Sequence, residues 1–202
     1  MMRARHLLGG MLALALGACA SAPMHYYTLI APATDGGAAT AAAPIQFELL
    51  AVGVPAQVDQ PQLVVRQGGQ GVAILEGERW IAPLGDEVRG ALSADLARDL
   101  HARDVTGLPD NGRPLLRIKL DLRRFDSQPG AYALIDAAWS LRLPNSANST
   151  SLACNTRVSE SVGPGYDALV QGHQRALAQL AGQIAAAARP FIAGQDSACP
   201  SS

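Results

Sequence analysis

The residue types that carry most enzymatic and metal chemistry are sparse in this sequence and do not stand at productive spacings. After residue 18 the chain has three histidines, His25, His101 and His173, and none stands at metal-ligand spacing from another histidine or a cysteine. No serine lies in a Gly-x-Ser-x-Gly turn, and no Gly-rich phosphate-binding loop is present. His173 stands among apolar residues at helical spacing, which favours a buried structural histidine over a catalytic one. The sequence therefore predicts no catalytic residues, no metal site and no cofactor.

Cys19 is the cysteine with the clearest chemical role. It follows two arginines, an apolar run of ten residues at positions 7–16 and a pair of small residues, which is the pattern of a secretory signal. A run of that length is too short to span a bilayer, which takes about 20 apolar residues. The sequence Leu16-Gly17-Ala18-Cys19 resembles a bacterial lipobox, in which the thiol receives a diacylglycerol and the chain is cleaved before the cysteine. We therefore expect a signal peptide at 1–18 and a lipid on Cys19. The alternative is an ordinary cleaved signal with a coincidental cysteine.

Two further cysteines, Cys154 and Cys199, form an even pair in the oxidising compartment that such a signal implies. A disulfide between them would tie the C-terminal tail to a predicted strand. The alternative is two separate thiols, with Cys154 in the core and Cys199 in a frayed tail. We favour the disulfide.

The composition points to one folded domain without affinity for nucleic acid. The 202 residues include 16 basic and 17 acidic ones, and removal of Arg3 and Arg5 with the signal leaves a formal net charge of −3. A nucleic-acid-binding protein usually has a basic balance instead. We expect four segments: a signal peptide at 1–18, a lipidated N-terminus and flexible linker at 19–44, a domain at 45–192 and a tail at 193–202.

Hydrophobic periodicity predicts an α+β fold. Alternation and turn residues predict strands at 45–54, 63–66 and 72–75 and then a three-stranded meander at 115–125, 131–143 and 150–161. Apolar residues at helical spacing predict one helix from Pro83 to near Arg103 and another from Tyr166 to Arg189. We expect a single domain with a mixed or antiparallel β-sheet and both amphipathic helices packed on one of its faces. Arg117, Lys119 and Arg123 alternate along one strand and would meet lipid headgroups, an acidic partner or only water.

Several short motifs, in the same order along nearly the whole mature chain, make the sequence similar to one family. They are Tyr26-Tyr27-Thr28-Leu29, Val54-Pro55, Asp59–Arg66, Trp80-Ile81-Ala82-Pro83-Leu84, Arg124-Phe125-Asp126, Trp139 and Gly165–Val170. On these residues the chain resembles the ABC-type transport auxiliary lipoproteins, the PqiC-like family. It departs from the family at Gln60, where members commonly have arginine.

The resemblance implies a non-enzymatic accessory lipoprotein of an MCE-type lipid transport system. Such a protein would lie at the periplasmic face of the outer membrane, where it docks a periplasmic MCE-domain conduit and supports the integrity of the envelope. Its partners would be that MCE protein and an inner-membrane transporter component, and a homo-oligomer is compatible with such systems. Residue 20 is Ala and not Asp, which by the same resemblance favours the outer membrane. The alternatives are an envelope-assembly or pilot lipoprotein and, weakest, a periplasmic hydrolase.

The same motifs nominate residues for contact with a partner. Aromatic side chains often carry binding energy at interfaces, although each can instead pack in the core. For Trp80, close to the start of a predicted helix, core packing is the favoured role. The nominated residues are Tyr26, Tyr27, Pro61, Gln62, Arg66, Trp80, Pro83, Leu84 and Tyr166.

Overall fold

Two β-sheets and two helices make up the part of the chain that the structure describes. The computed structural model describes residues 23–32, 45–109, 111–144 and 151–200, so the predicted signal peptide, Cys19 and most of the predicted linker lie outside it. The helices are α1 (Leu84–Leu100) and α2 (Tyr166–Ile192). The strands are β1 (His25–Tyr27), β2 (Gln46–Leu49), β3 (Gln62–Arg66), β4 (Val72–Trp80), β5 (Arg103–Asp104), β6 (Leu115–Gln128), β7 (Tyr132–Arg142) and β8 (Ser151–Ser161).

The larger sheet has five strands in the order β5-β2-β6-β7-β8. Its second half is the predicted antiparallel meander, in which β7 pairs with both β6 and β8. The short β2 runs parallel to both of its neighbours. The sequence predicted a longer strand at 45–54, but only Gln46–Leu49 pairs continuously and Gly53 makes one isolated bridge to Asp121.

Strand β6 contains a β-bulge and continues past its predicted end at residue 125. The register with β7 shifts between Leu122 and Arg124, so that Arg123 is an extra residue on β6. Because one extra residue exchanges the two faces of a strand, Phe125 and Ser127 point into the core beyond the bulge. The strand therefore continues to Gln128 with its buried face formed by odd-numbered residues.

The smaller sheet has three strands in the order β1-β4-β3. The predicted hairpin forms its β3–β4 half, and β4 extends to Trp80 because β1 pairs with it in parallel. Residues 25–27, which the sequence assigned to the segment before the domain, are thus part of the fold, and Leu29 is only 1% exposed. The folded unit consequently begins before residue 45.

Both helices lie over the larger sheet, as the fold prediction required. Helix α2 contacts β6, β7 and β8, and α1 packs against α2. The predicted apolar stripe of α1 is buried, but the helix ends at Leu100 and not near Arg103, because His101 adopts a left-handed conformation with φ 51°. Helix α2 passes the predicted end at Arg189 and includes Pro190, which stands in its last turn. The α+β, single-domain prediction is confirmed.

A disulfide joins the C-terminal tail to the larger sheet. Cys154 on β8 is bonded to Cys199, 45 residues later in the chain. The residues just beyond the last helix, predicted as a tail at 193–202, are therefore fastened to the fold as far as residue 199.

Gly172 allows α2 to approach the larger sheet closely. A Cβ atom at this position would lie 2.2 Å from Val162 Cγ1 and 3.1 Å from Ala133 Cβ. We predict that Gly172→Ala lowers the free energy of unfolding by about 1–2 kcal/mol, because overpacking outweighs the better helix propensity of alanine.

Gly182 in the same helix is the matched control. A Cβ there would meet nothing closer than Asp99 Oδ2 at 3.9 Å, so Gly182→Ala should raise the free energy of unfolding by about 0.5–1 kcal/mol. Chemical denaturation of both variants tests the packing. Equal stabilisation by the two substitutions would contradict the close approach at Gly172.

The disulfide predicts a redox-dependent stability. In the chain-entropy account, closing a loop of this size stabilises the fold by up to about 4 kcal/mol. The double variant Cys154→Ala/Cys199→Ala should lose that amount and should not respond to reductant. Thiol titration of the denatured, unreduced protein provides the direct measurement, and reactive thiols from both residues would refute the bond.

Candidate functional site

Several residues nominated from the sequence meet where the smaller sheet joins the starts of the two helices. Tyr27 pairs with Trp80 across β1 and β4, and its hydroxyl donates to Glu78 Oε2 at 2.7 Å. Burial, with a further contribution from the Glu78 carboxylate, raises the pKa of the Tyr27 hydroxyl, so the phenol remains the donor. Tyr166, the first residue of α2, packs against the same core. These contacts give Tyr27 and Tyr166 a structural role here.

Glu87 ties the segment after β1 to the first turn of α1. The residue is 3% exposed, and its carboxylate accepts hydrogen bonds from the Thr28 hydroxyl at 2.7 Å and from the Leu29 backbone N–H at 2.8 Å. A carboxylate in the first turn also interacts favourably with the helix N-terminus. The sequence indicated only this helix-end role, because the partners of Glu87 are about 60 residues away in the chain.

Trp80 and Leu84 belong to the core. Trp80 is 6% exposed, and its ring meets Phe125 edge to face with 6.1 Å between ring centroids. Leu84 is 1% exposed. The favoured core role of Trp80 therefore agrees with its position in the structure. Neither the Trp80 nor the Leu84 side chain is exposed enough to pack against a partner.

A surface cavity of about 290 Å³ opens beside Trp80. Two segments that are distant in sequence form it, and they are held together by a hydrogen bond from the Trp80 backbone N–H to the Pro61 carbonyl at 2.8 Å. Its rim includes Ile81, which is 61% exposed. The lining residues are Asp59, Gln60, Pro61, Trp80, Ile81, Ala82 and Pro83. Prolines and an exposed aliphatic side chain suit an inserted apolar side chain better than a reaction.

Tyr26 lies on the other face of the smaller sheet from Tyr27. It is 57% exposed and stands directly opposite Arg79, which in turn pairs with Gln62. Residues directly opposite each other share a face, and so do alternate residues of one strand. Gln62 and Arg66, both nominated, therefore share this outer face with Tyr26.

Exposed aliphatic residues that the sequence reasoning did not select complete this face. Val72 and Ile74 pair with Arg66 and Val64, and they are 55% and 51% exposed. The alternation of Val72 and Ile74 with Ala73 and Leu75 was a usable signal, but it did not reveal which set faced solvent.

Arg66 holds the edge of the smaller sheet to β6. Its guanidinium lies 3.4 Å from both carboxylate oxygens of Asp126, and Arg124 pairs with the same carboxylate. A cavity of about 350 Å³ adjoins this cluster, with Val72, Ile74 and Arg123 among its lining residues. Among the described residues, Arg123 has no carboxylate partner. Two guanidiniums on one carboxylate, with Arg123 beside them, leave the cavity positively charged.

His173 and Ser127 form a buried pair that resembles part of a hydrolytic site. The His173 ring is fully buried, its Nε2 lies 2.8 Å from the Ser127 hydroxyl, and it stacks on Phe125 with 3.9 Å between centroids. Among the described residues no group hydrogen-bonds to His173 Nδ1, so no carboxylate orients the imidazole. Burial lowers the pKa of His173 to about 3, although the Asp126 carboxylate acts in the opposite direction. A neutral imidazole sealed from solvent suits core structure.

Two further features are absent from the part of the chain that the structure describes. Within residues 23–32, 45–109, 111–144 and 151–200, no three His, Cys, Asp or Glu side chains are grouped so as to hold a metal ion. Neither helix over those ranges combines the length and hydropathy needed to cross a bilayer.

Comparison with protein families identifies one match that covers most of the chain. The family model of the ABC-type transport auxiliary lipoprotein component matches residues 27–185. That range includes β2 to β8, α1 and most of α2. Comparison with curated proteins gives no match.

Two solved structures share the fold. An uncharacterised protein has a TM-score of 0.64 at 17% identity, over 82% of this chain and 98% of its own. A protein from Xanthomonas campestris has a TM-score of 0.52 at 17% identity, over 69% of this chain and 81% of its own. At these identities the likeness concerns the fold alone.

The buried histidine predicts a pH-dependent stability. The unfolded chain protonates His173 near its ordinary pKa of 6.5, whereas the folded chain keeps it neutral down to about pH 3. The unfolded state binds more protons in that window, so the free energy of unfolding should fall as the pH falls, by up to about 1.4 kcal/mol per pH unit.

His173→Gln tests this assignment, because glutamine can bond to Ser127 but does not titrate. Denaturation of both proteins should show a steeper loss for the wild type in the upper part of the window, where the carboxylates are still ionised. Identical slopes for wild type and variant would exclude His173 as the source.

Proposed function

The chain belongs to the family of ABC-type transport auxiliary lipoprotein components, and from this premise we propose that it is a non-enzymatic accessory lipoprotein of an MCE-type lipid transporter. A lipid on Cys19 holds it to the periplasmic face of the outer membrane. Its folded domain docks the periplasmic MCE-domain protein there and so supports the integrity of the envelope. The transporter component in the inner membrane is the second partner and supplies the energy.

The cavity beside Trp80 carries this proposal. Pro61, Trp80 and Pro83 were nominated from the sequence as contact residues, and they meet around this one opening although some 20 residues separate the two segments. The cavity walls are rigid, because prolines restrict the backbone and the Trp80–Pro61 hydrogen bond fixes the two segments. A preformed pocket lowers the conformational cost of binding a partner side chain.

The absence of catalysis is supported by the chemistry of the titratable groups. Asp59 is the one titratable residue among those lining the cavity, and no histidine or lysine accompanies it there. The Ser127–His173 pair is buried and lacks a carboxylate partner among the described residues. The Asp59 carboxylate thus stands without a second titratable group in the cavity, and the Ser127–His173 pair is out of a substrate's reach, so neither place offers an accessible acid–base pair.

The docking role predicts a specific effect of the cavity rim. Ile81→Asp places a charge where an apolar partner side chain would insert, and it should abolish co-purification of the MCE-domain protein with the full lipidated chain from native membranes. The fold should survive, because Ile81 is largely exposed.

Leu108→Asp is the matched control. Leu108 is also a well-exposed aliphatic residue, at 54%, and it lies in the loop after β5, away from the cavity. Retention of the MCE protein by this variant and its loss by Ile81→Asp would support the proposed surface. If wild type and Ile81→Asp recover the MCE protein equally, the cavity is not the docking site. If wild type recovers none, the proposed partner is wrong.

A further inference from the structure

The exposed apolar side chains of this protein are concentrated on one face. The described residues expose seven large hydrophobic side chains, and four of them belong to the outer face of the β1-β4-β3 sheet or to its direct continuation. The four are Met24, Tyr26, Val72 and Ile74, whereas Ile81 lies at the rim of the cavity beside Trp80 and Ile30 and Leu108 lie elsewhere. Single exposed hydrophobic residues are ordinary, but a contiguous set on one sheet face indicates a surface that is covered in use.

The register of the strands places these residues together. Gln62, Val64 and Arg66 alternate along β3 and stand opposite Arg79, Ile74 and Val72 of β4. The register shifts between Gln62 and Leu63, which brings Arg79 to the face of Ile74 although the two are five residues apart along β4. Arg79 in turn stands opposite Tyr26 of β1. Met24 precedes Tyr26 by two residues, so alternation puts it on the same side.

The lipid-bearing residue is close to this face along the chain. Cys19 precedes Pro23 by four residues, a span of at most about 14 Å. The Pro23 carbonyl oxygen lies 3.5 Å from the position that a Cβ on Gly77 would take, and Gly77 is on β4, the central strand of the smaller sheet. Strand β4 is nine residues long, which is about 30 Å, so neither of its ends is far from the tether.

The charged residues of this face suit the headgroup region of a bilayer. Arg79 and Arg66 stand on the face itself, and Arg123 lines the adjoining cavity beside Val72 and Ile74. Glu76 is the acidic residue of the face and lies 3.9 Å from Arg79. Arginine places its aliphatic stem along apolar surface with its guanidinium at the phosphates, and tyrosine is enriched at the same depth.

We propose that the outer face of the three-stranded sheet rests on the surface of the membrane that holds the Cys19 lipid. The apolar side chains reach the boundary between headgroups and acyl chains, and Arg66, Arg79 and Arg123 meet lipid phosphates. This inference rests on the lipid anchor of the proposed function. Three acyl chains already hold the protein firmly, so the face sets the orientation of the domain and not its affinity for the membrane.

The experiment measures membrane depth with a fluorescent label on the full lipidated chain. With Cys19 acylated and Cys154 bonded to Cys199, an introduced cysteine is the single free thiol. The environment-sensitive dye NBD is attached at Ile74→Cys, Tyr26→Cys or, as control, Leu108→Cys. Each labelled protein is incorporated into vesicles of phosphatidylethanolamine and phosphatidylglycerol whose brominated acyl chains act as quenchers. The labels at 74 and 26 should show blue-shifted emission and loss of fluorescence to the brominated chains, and the label at 108 should show neither.

The outcomes separate the face from the anchor. If the protein floats with the vesicles but label 74 is quenched no more than label 108, the outer face does not lie on the membrane, and the lipid anchor on Cys19 is unaffected by the result. If label 74 is blue-shifted without lipid quenching and the shift grows with protein density, a second copy covers the face and the proposal fails. A chain that neither floats nor carries acyl mass overturns the anchor, and this proposal with it.

A pair of arginine variants tests the headgroup contact. Arg123→Gln should reduce quenching at label 74 in vesicles with phosphatidylglycerol, because it removes a cation without leaving a described carboxylate unpaired. Arg142→Gln is the control, since Arg142 is exposed at the end of β7 next to Ser151 and away from the smaller sheet. Equal effects of the two variants, or none from Arg123→Gln, would overturn the role of Arg123.

Discussion

The position of Trp80 is the constraint on which most of this structure depends. Its backbone pairs with Tyr27 of β1 and donates a hydrogen bond to Pro61 before β3, and its ring packs edge to face on Phe125 of β6. One residue thus joins all three strands of the smaller sheet and attaches that sheet to the larger one. Because Pro83 and the start of α1 follow within four residues, the same contact also fixes where the first helix begins.

The sequence predicts those parts of the fold that depend on local periodicity. The meander, the hairpin and both helices have regular apolar patterns, and the structure contains each of them. The pairing of β1 with β4 and of β2 with β6 could not be predicted, because parallel pairing joins segments that are about 50 to 70 residues apart and leaves no local pattern. The bulge at Arg123 also escaped prediction, since two successive arginines look like the end of a strand and not like a change of face.

The candidate site shows the same division between local and distant information. The motifs located Pro61, Trp80 and Pro83, which form one cavity, but they also nominated Tyr27, Leu84 and Tyr166, whose roles here are structural. Adjacent residues of a strand point to opposite faces, so the pair Tyr26-Tyr27 divides into one exposed and one hydrogen-bonded side chain. Which member faces the core is decided by Glu78 and Trp80, more than 50 residues away.

Strand β4 contributes both to the proposed membrane-facing surface and to the cavity beside Trp80. Strand β4 carries the proposed membrane-facing residues on its outer side and ends at the cavity beside Trp80, so the two surfaces are adjacent but not superimposed. A short tether alone would leave the domain free to rotate about Cys19. If the outer face lies on the membrane, that rotation is removed, and the cavity is held in one orientation at the membrane edge. The orientation of the docking pocket then depends on the sheet register, which places the exposed residues of β1 and β3 on one face.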